Sequence, residues 1–575
     1  MTLSRPVIMM LLAATSVAAH VTAQQPGQIT VARPGQMRMP PRDGAQERTG
    51  TARMRGIVVG GEAGLPLRRA VVRLFGEGLR EGRVATTDAD GRWELTELPA
   101  GRFSLSASKA GYVQLQYGQR RPFEQGRPIE LADGQTLDNV SFNLPRGSVI
   151  AGRIVDEFGE PIAEATVAAM RYRYFQGRRR LVPVGRFDQT DDGGHFRVYG
   201  LAPGEYYLSA TLRGGGNFGA ESSDRSGYAP TYFPGTGSSQ QAQPISVGLG
   251  AEMAGISFSL LPVRTVKVSG TAVDSKGKPM AGAFVMLMES ARGGDFMMMS
   301  MGGGNRVRDD GTFTLSSVSP GEYTLQARPM GPEAGDSEVA TAALSVGSED
   351  ITGVVLAASA ATVIRGRVVL EGGAAISGLT PAGFSLMALA MNPDASPMMF
   401  GPGMRDRLED DWSFELRAME SPALIRAMRT PPGWMLKSVT VNGQDVTDSG
   451  IAFRAGDEVR DVQVVLTQIS NTVSGTVTDD RGQPVIDYAV VVFAEDPARW
   501  GPMTRYIRLA RPDQSGAWQT MGLPPGRYIA AAVDAIENGE EHNPSLLERL
   551  QPIGTAFSLG EGEQKSVPLK VVQAY

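Results

Sequence analysis

A short corner recurs along the chain: "LPAGRF" at 98–103, "LAPGEY" at 201–206, "VSPGEY" at 318–323 and "LPPGRY" at 523–528. Each time an Asp/Gly turn with a following aromatic comes first: "DADGRWEL" (88–95), "DDGGHFRV" (191–198), "RDDGTFTL" (308–315) and "DQSGAWQT" (513–520). Trp93 and Leu95, Phe196 and Val198, and Phe313 and Leu315 alternate with polar residues. That period of two marks a half-buried strand leaving a tight turn. After the corner a second strand follows, as in "EYYLSA" and "EYTLQA". The corner therefore joins two strands, and its aromatic is expected to face the core.

A third shared piece lies upstream. "GRIVDEFGEPIAEATV" (152–167) matches "GTAVDSKGKPMAGAFV" (270–285) and "GTVTDDRGQPVIDYAVV" (475–491), with "GIVVGGEAGLPLRRAVV" (56–72) a looser copy. A strand, a polar Gly turn, a Pro at a strand entry and a strand of small and β-branched residues follow in order. One further copy is degraded. "GRVVLEGGAAISGL" (366–379) opens it, "DDWSFEL" (410–416) supplies the strand, and "MESPALIRA" (419–427) lacks the Gly and the aromatic of the corner. It carries an Asn-Gly hairpin signal at Asn442–Gly443. The opening glycines Gly56, Gly152, Gly270, Gly366 and Gly475 stand roughly a hundred residues apart, the size of a β-sandwich with frequent turns. The expected fold is all-β: a tandem array of Ig-like or transthyretin-like sandwiches. Units are expected at 54–147, 148–264, 265–361, 362–470 (the degenerate one) and 471–575. One short helix is expected at "NPSLLERL" (543–550), capped by Asn543 and begun by Pro544.

At 575 residues the chain is too long for one core, and 71 Gly with 37 Pro suit many turns. The first 23 residues read as a secretory signal: a charged start, the apolar "PVIMMLLAATSVAAHV" and small residues in "VTA" before a cleavage after Ala23. Residues 24–53, rich in Pro, Gly, Gln and Arg, read as a flexible lead-in. No later segment is long and apolar enough to span a bilayer. The mature chain is expected to be exported, periplasmic or at the cell surface. With no Cys it has neither disulfides nor a thiol nucleophile, and its mild net charge of −5 does not favour a nucleic-acid partner.

The pattern "G-x-V-x-D-x-x-G-x-P", then "D-x-x-G-x-[FW]", then "L-x-P-G-x-[FY]", repeated over most of 54–573, resembles the carboxypeptidase regulatory-like domain. The resemblance implies a transthyretin-like seven-stranded sandwich, also grouped with carbohydrate-binding-like folds, and a typically non-catalytic role beside peptidases, receptors or secreted enzymes. Here no peptidase and no outer-membrane barrel accompanies it.

Catalytic constellations are scarce. After removal of the signal only His195 and His542 remain, and neither "HFRV" nor "HNPS" has the spacing of a zinc site. His195 replaces Arg92 of the first copy and reads as a surface residue. No G-x-S-x-G elbow or phosphate-binding loop occurs, and no cofactor is expected. Asp88, Asp90, Asp191, Asp192, Asp309 and Asp310 offer oxygens for calcium, but no copy completes a calcium loop. The competing reading, that Asp-Gly serves the hairpin, is preferred.

The copies differ most between the third shared piece and the Asp/Gly turn: "FGEGLREGR", "RYRYFQGRRR" (171–180), "ESARGGDFMMMSMGGGN" (289–305), "MNPDASPMMFGPGM" (391–404) and "EDPARWGPMTRYIR" (495–508). A constant scaffold with one variable loop is arranged like a binding module; drift in an unconstrained loop explains it equally. Tyr172, Tyr174, Phe175, Tyr506 and above all Trp500 are candidates to stack on sugar rings, with Arg178, Arg179 and Arg505 as donors. A core-facing strand accounts for Tyr172 and Tyr174 as well. Trp93, Trp412 and Trp518 occupy strand positions that read as core. Met297, Met298, Met299 and Met301, with Met398, Met399 and Met404, could hold Cu(I) but lack any supporting His or Cys, and adaptable apolar contacts are preferred. "YAPTYFPG" (228–235) is expected to cover a sandwich edge. Two functional readings stand: a non-enzymatic module binding polysaccharide or another envelope component through its loops, or a structural spacer or protein-interaction scaffold.

Overall fold

In a computed structural model, residues 49–573 are described apart from 62, 77–78, 80–81, 176, 213–225, 290–298, 301–305, 330–337, 373–378, 393–406 and 432. The expected signal and most of the lead-in lie outside the described residues, as do most of the Met-rich loops. The lead-in ends earlier than expected: Ala52 and Arg53 already belong to the first strand, and Ala52 is fully buried.

The chain is an array of all-β sandwiches, each with a core of its own. In unit one the strand Ala52–Gly60 is shared between two pairings. Its first half lies antiparallel to Arg92–Leu98 and parallel to Thr136–Leu137. Its second half lies parallel to Phe142–Leu144 and antiparallel to Leu65–Pro66. A facing sheet holds Arg83–Thr86, Val71–Gly76, Gly101–Ser108, Leu115–Gln116 and Ile129–Leu131. Met54, Val58, Trp93 and Leu95 from one side meet Val72, Leu74, Phe103 and Leu105 from the other.

The opening glycines sit where the shared strand changes partners. A Cβ on Gly56 would lie 1.7 Å from the Val140 carbonyl oxygen, and on Gly152 1.6 Å from that of Ile256. The same carbonyl approach recurs at Gly270 (Val354, 1.9 Å), Gly366 (Val462, 2.0 Å) and Gly475 (Val567, 2.3 Å). Directly across the antiparallel ladder from these glycines stand Trp93, Phe196, Phe313, Phe414 and Trp518. At Gly366 and Gly475 the aromatic itself also lies against the glycine, with Phe414 Cζ 2.6 Å and Trp518 Nε1 3.0 Å from where a Cβ would stand. In the degenerate unit this place belongs to Phe414, not to Trp412. Trp412 lies in the turn with φ 68 and packs edge-on against Phe384 at 5.3 Å.

The two recurrent turns have different physics. In the Asp/Gly turns of units one, two and five a carboxylate oxygen accepts backbone N–H groups two and four residues on. Asp88 takes those of Asp90 and Arg92 (2.9 and 2.8 Å), and Asp191 those of Gly193 and His195 (3.0 and 2.8 Å). The glycines Gly91 and Gly194 supply the positive φ these turns need (73° and 75°). In the Pro-Gly corners the tyrosine is buried, and its hydroxyl donates to the carbonyl four residues back. Tyr206 reaches Ala202 at 2.6 Å, Tyr323 reaches Ser319 at 2.9 Å and Tyr528 reaches Pro524 at 2.6 Å. Tyrosine corners of this kind recur in other sandwiches. Unit one has Phe103 in this place, and the degenerate unit has neither Gly nor aromatic.

Unit four replaces the lost corner with extra pairing. Met435–Val441 adds to Glu458–Thr467, and Asn442 and Gly443 turn the hairpin at φ 51 and 82. The 228–235 segment adds Thr231–Tyr232 to the edge of Gly204–Thr211 in unit two, and Phe233 packs on Phe258.

Unit five differs in a second way. Every residue of Ala489–Ala494 is buried, as are the last six of Gly526–Val533. Val490, Val492, Ala530 and Ala532 face the sandwich core. Val491, Phe493, Ile529 and Ala531 face outward, where the helix Pro544–Leu550 covers them with Leu546, Leu547 and Leu550. Burying three leucines contributes about 1.5–3 kcal/mol each. Asn543 caps the helix by accepting the Ser545 N–H, and Pro544 takes the first turn, where its missing donor is harmless.

Candidate binding faces

The unit-two candidates are gathered on one ribbon. Thr166–Phe175 and Arg178–Pro183 form a hairpin in which Tyr172 lies opposite Leu181, Tyr174 opposite Arg179 and Phe175 opposite Arg178. Opposed residues share a face, so Tyr172, Tyr174 and Arg179 lie together. Tyr172 is half-buried; it packs edge-on against Tyr207 at 5.3 Å, and the Arg179 guanidinium sits 3.9 Å from its ring centre. Met170 and Leu181 are buried beneath, with Tyr232 beside them. The outer face of this sheet is thus a small apolar floor rimmed by tyrosines and an exposed arginine.

The unit-five candidates do not form such a face. Trp500 is 6% exposed and belongs to the outer core under the helix. Its ring meets Phe493 edge-on at 5.6 Å, and its Nε1 donates to the Ala494 carbonyl at 2.8 Å. No face of the indole is open for stacking on a sugar, which corrects the expectation of an exposed ring. The physical reason is the double-sided strand: an outward apolar face needs a cover, and Trp500 closes its end. Arg505 is nearly buried and turns toward unit four, donating from Nε and Nη2 to Asp448 at 3.0 and 2.8 Å. Tyr506 donates to the same carboxylate at 3.0 Å, and Arg426 reaches it at 3.4 Å. Burial alone would raise the Asp448 carboxyl, but the hydrogen bond and charge of Arg505 outweigh it and hold it below its ordinary value.

The remaining chemistry is quiet. Asp88, Asp191 and Asp310 each give one carboxylate oxygen to backbone N–H groups of their own turn, as the turn reading expects. Among the described residues no three His, Asp or Glu gather in a metal-holding group. His195 is exposed beside Asp191, at 3.2 Å. His542 is pushed below its ordinary value by burial, with Glu541 3.9 Å away pulling the other way.

What the sequence reading missed is a set of contacts from unit one to units two and five. The segment 120–127, "RRPFEQGR", lies between them. Arg120 pairs with Asp487 at 3.3 Å and Arg121 with Asp534 at 3.7 Å. Arg127 donates to the Pro512 and Asp513 carbonyls. Glu124 is buried 3.8 Å from the equally buried Arg511. Phe123, at φ 65, stacks under the Arg171 guanidinium at 3.6 Å, and Arg171 in turn pairs with Glu537 at 3.1 Å.

Residues 53–145 match the family model of the carboxypeptidase regulatory-like domain. The match spans the unit-one core described above and bears out the resemblance read from the motifs. No curated protein matches the sequence. Among solved structures, a streptococcal ancillary pilin is similar at 13% identity over 53% of this chain and 99% of its own, with a TM-score of 0.21. A minor pilin of Streptococcus agalactiae is 13% identical over 37% of this chain and 98% of its own, TM-score 0.21. A putative carbohydrate binding protein from Pseudomonas aeruginosa is 15% identical over 17% of this chain and 91% of its own, TM-score 0.12. Likenesses this distant say nothing of ligand or partner. No helix among the described residues is long and apolar enough to cross a membrane.

Proposed function

We propose that the chain is a non-catalytic, exported scaffold whose sandwiches dock against one another to present their surfaces to a protein partner in the envelope. One observation carries this reading: the unit-five residues best suited to contact a ligand are spent internally, Trp500 on a second core and Arg505 and Tyr506 on unit four. A chain that invests its aromatics and arginines in fixing one unit against the next is organised for geometry. Export rests on the N-terminal apolar stretch.

A second reading has its own observation. Tyr172, Tyr174 and Arg179 share one face of the unit-two ribbon, above the floor of Met170 and Leu181. Such a surface suits a ligand with one apolar face and polar edges, a polysaccharide being the class. A binding screen of the protein from Gln24 onward against soluble and insoluble glycans decides between them. Binding that Tyr172→Ala with Arg179→Ala abolishes at unchanged melting temperature establishes the carbohydrate reading. No glycan binding, with those substitutions tolerated, supports the scaffold.

A further inference from the structure

Unit five touches units one, two and four, although unit one precedes it by more than three hundred residues. Besides the contacts above, Gln514 and Glu130 exchange two bonds: the Gln514 amide donates to the Glu130 carbonyl at 2.9 Å and accepts the Glu130 N–H at 3.2 Å. Arg102 donates to the Gln519 carbonyl at 3.3 Å, and Asn538 N–H to the Phe123 carbonyl at 3.0 Å. Arg511 also reaches Asp487 at 3.4 Å.

The character of this boundary is one-sided. Unit one supplies cations (Arg102, Arg120, Arg121, Arg127), and unit five answers with carboxylates and carbonyls. Among the ion pairs of the described residues only Glu124–Arg511 runs the other way. Apolar packing hardly crosses: among the described residues each core cluster draws on one unit, except that Phe123 of unit one packs against the core of unit two. Polar boundaries between domains ordinarily permit relative motion. Here Glu124 and Arg511 are withdrawn from water at the boundary, and each also has a partner in its own unit, Arg121 at 3.7 Å and Asp487 at 3.4 Å, so opening leaves neither charge unpaired.

We propose that the 120–127 segment of unit one is a charge-operated clasp that closes the array by docking unit one and unit two onto unit five, and that opening it separates the units without unfolding any sandwich. The two states present different surfaces, so the scaffold has a built-in way to change what it exposes. The closed state depends on the Arg120–Asp487 and Arg121–Asp534 ion pairs and on the Arg127 bonds to the Pro512 and Asp513 carbonyls, around the buried Glu124–Arg511 pair, with Arg171 holding Phe123 and Glu537 together.

The chain has no cysteine, so two introduced thiols label uniquely. Nitroxides at Val84→Cys and Ile553→Cys, exposed positions in units one and five, report their separation by pulsed electron paramagnetic resonance on the full chain. A single narrow distance is expected. Arg121→Glu with Arg127→Glu should add a longer population, and Asp534→Arg should shrink it again. Arg511→Ala, made from the other side, should also lengthen it. Hydrogen exchange in the unit-one and unit-five cores should stay as in the parent. A broad distribution in the parent, or an unchanged one in both variants, overturns the proposal. So does loss of core protection in the variants, because the contacts would then belong to folding and not to docking.

Discussion

Replacing Gly152 by alanine tests the architecture where it is tightest. The added Cβ would stand 1.6 Å from the Ile256 oxygen and 2.4 Å from its carbonyl carbon, far inside the 3.0 Å that real Cβ contacts essentially never pass. Both atoms are backbone, so no flexible side chain can yield. Relief requires the parallel crossing strand to move away, which also weakens the Ile256 N–H bond to the Ala151 carbonyl at 3.1 Å. Overpacking costs about 1–3 kcal/mol and occasionally more, and the strained hydrogen bond about 1 kcal/mol. A loss of about 3 kcal/mol or more in unit two follows. The control is Gly255→Ala, where φ is 78 and nothing lies within 4 Å; only backbone strain applies, about 1–2 kcal/mol. Because a multi-domain chain need not unfold in one step, the assay is hydrogen exchange resolved by unit. Amides of unit two should lose protection in Gly152→Ala, well beyond the loss in Gly255→Ala, while units three and four keep theirs. Equal effects of the two substitutions would refute the reasoning.

Other expectations follow from named contacts. Tyr206→Phe removes a bond to the Ala202 carbonyl from a hydroxyl that burial pushes up to about 12, and should cost about 1 kcal/mol in thermal unfolding of unit two. Phe103→Tyr should restore the corner in unit one and add stability of similar size, read in the same scan. The Asp448 carboxyl lies below its ordinary 3.8 in the folded state, so its contribution is whole above that value and lost as pH falls through the folded one. Exchange at the Arg505 and Tyr506 amides should therefore rise in acid below 3.8, and Asp448→Asn should remove that dependence.

The repeated turns were legible because their residues have local reasons: Asp accepts from its own turn, Gly takes positive φ, and an aromatic two residues on alternates into the core. The glycines marked the repeat, but their cause, a carbonyl from a strand about a hundred residues away, has no local trace. Trp500 shows the limit best. Beside an exposed-looking loop it reads as a ligand platform, yet the preceding run from Ala489 to Ala494 is apolar without alternation. Such a strand is buried on both faces and announces a cover. The helix at 544–550 and Trp500 are that cover. Trp412 and Phe414 were confused because both alternate correctly; only the register against Gly366 separates them. The contacts of 120–127 were invisible, since charge pairing between distant units leaves no periodicity.

The most direct test is calorimetric unfolding of Trp500→Ala beside the parent. The account places the indole in a core with Phe493, Leu546 and Leu550, so its removal should lower the unfolding temperature of unit five, at a cost of about 3–5 kcal/mol. An unchanged unfolding temperature, with loss of binding to a glycan, would contradict it and return Trp500 to the surface.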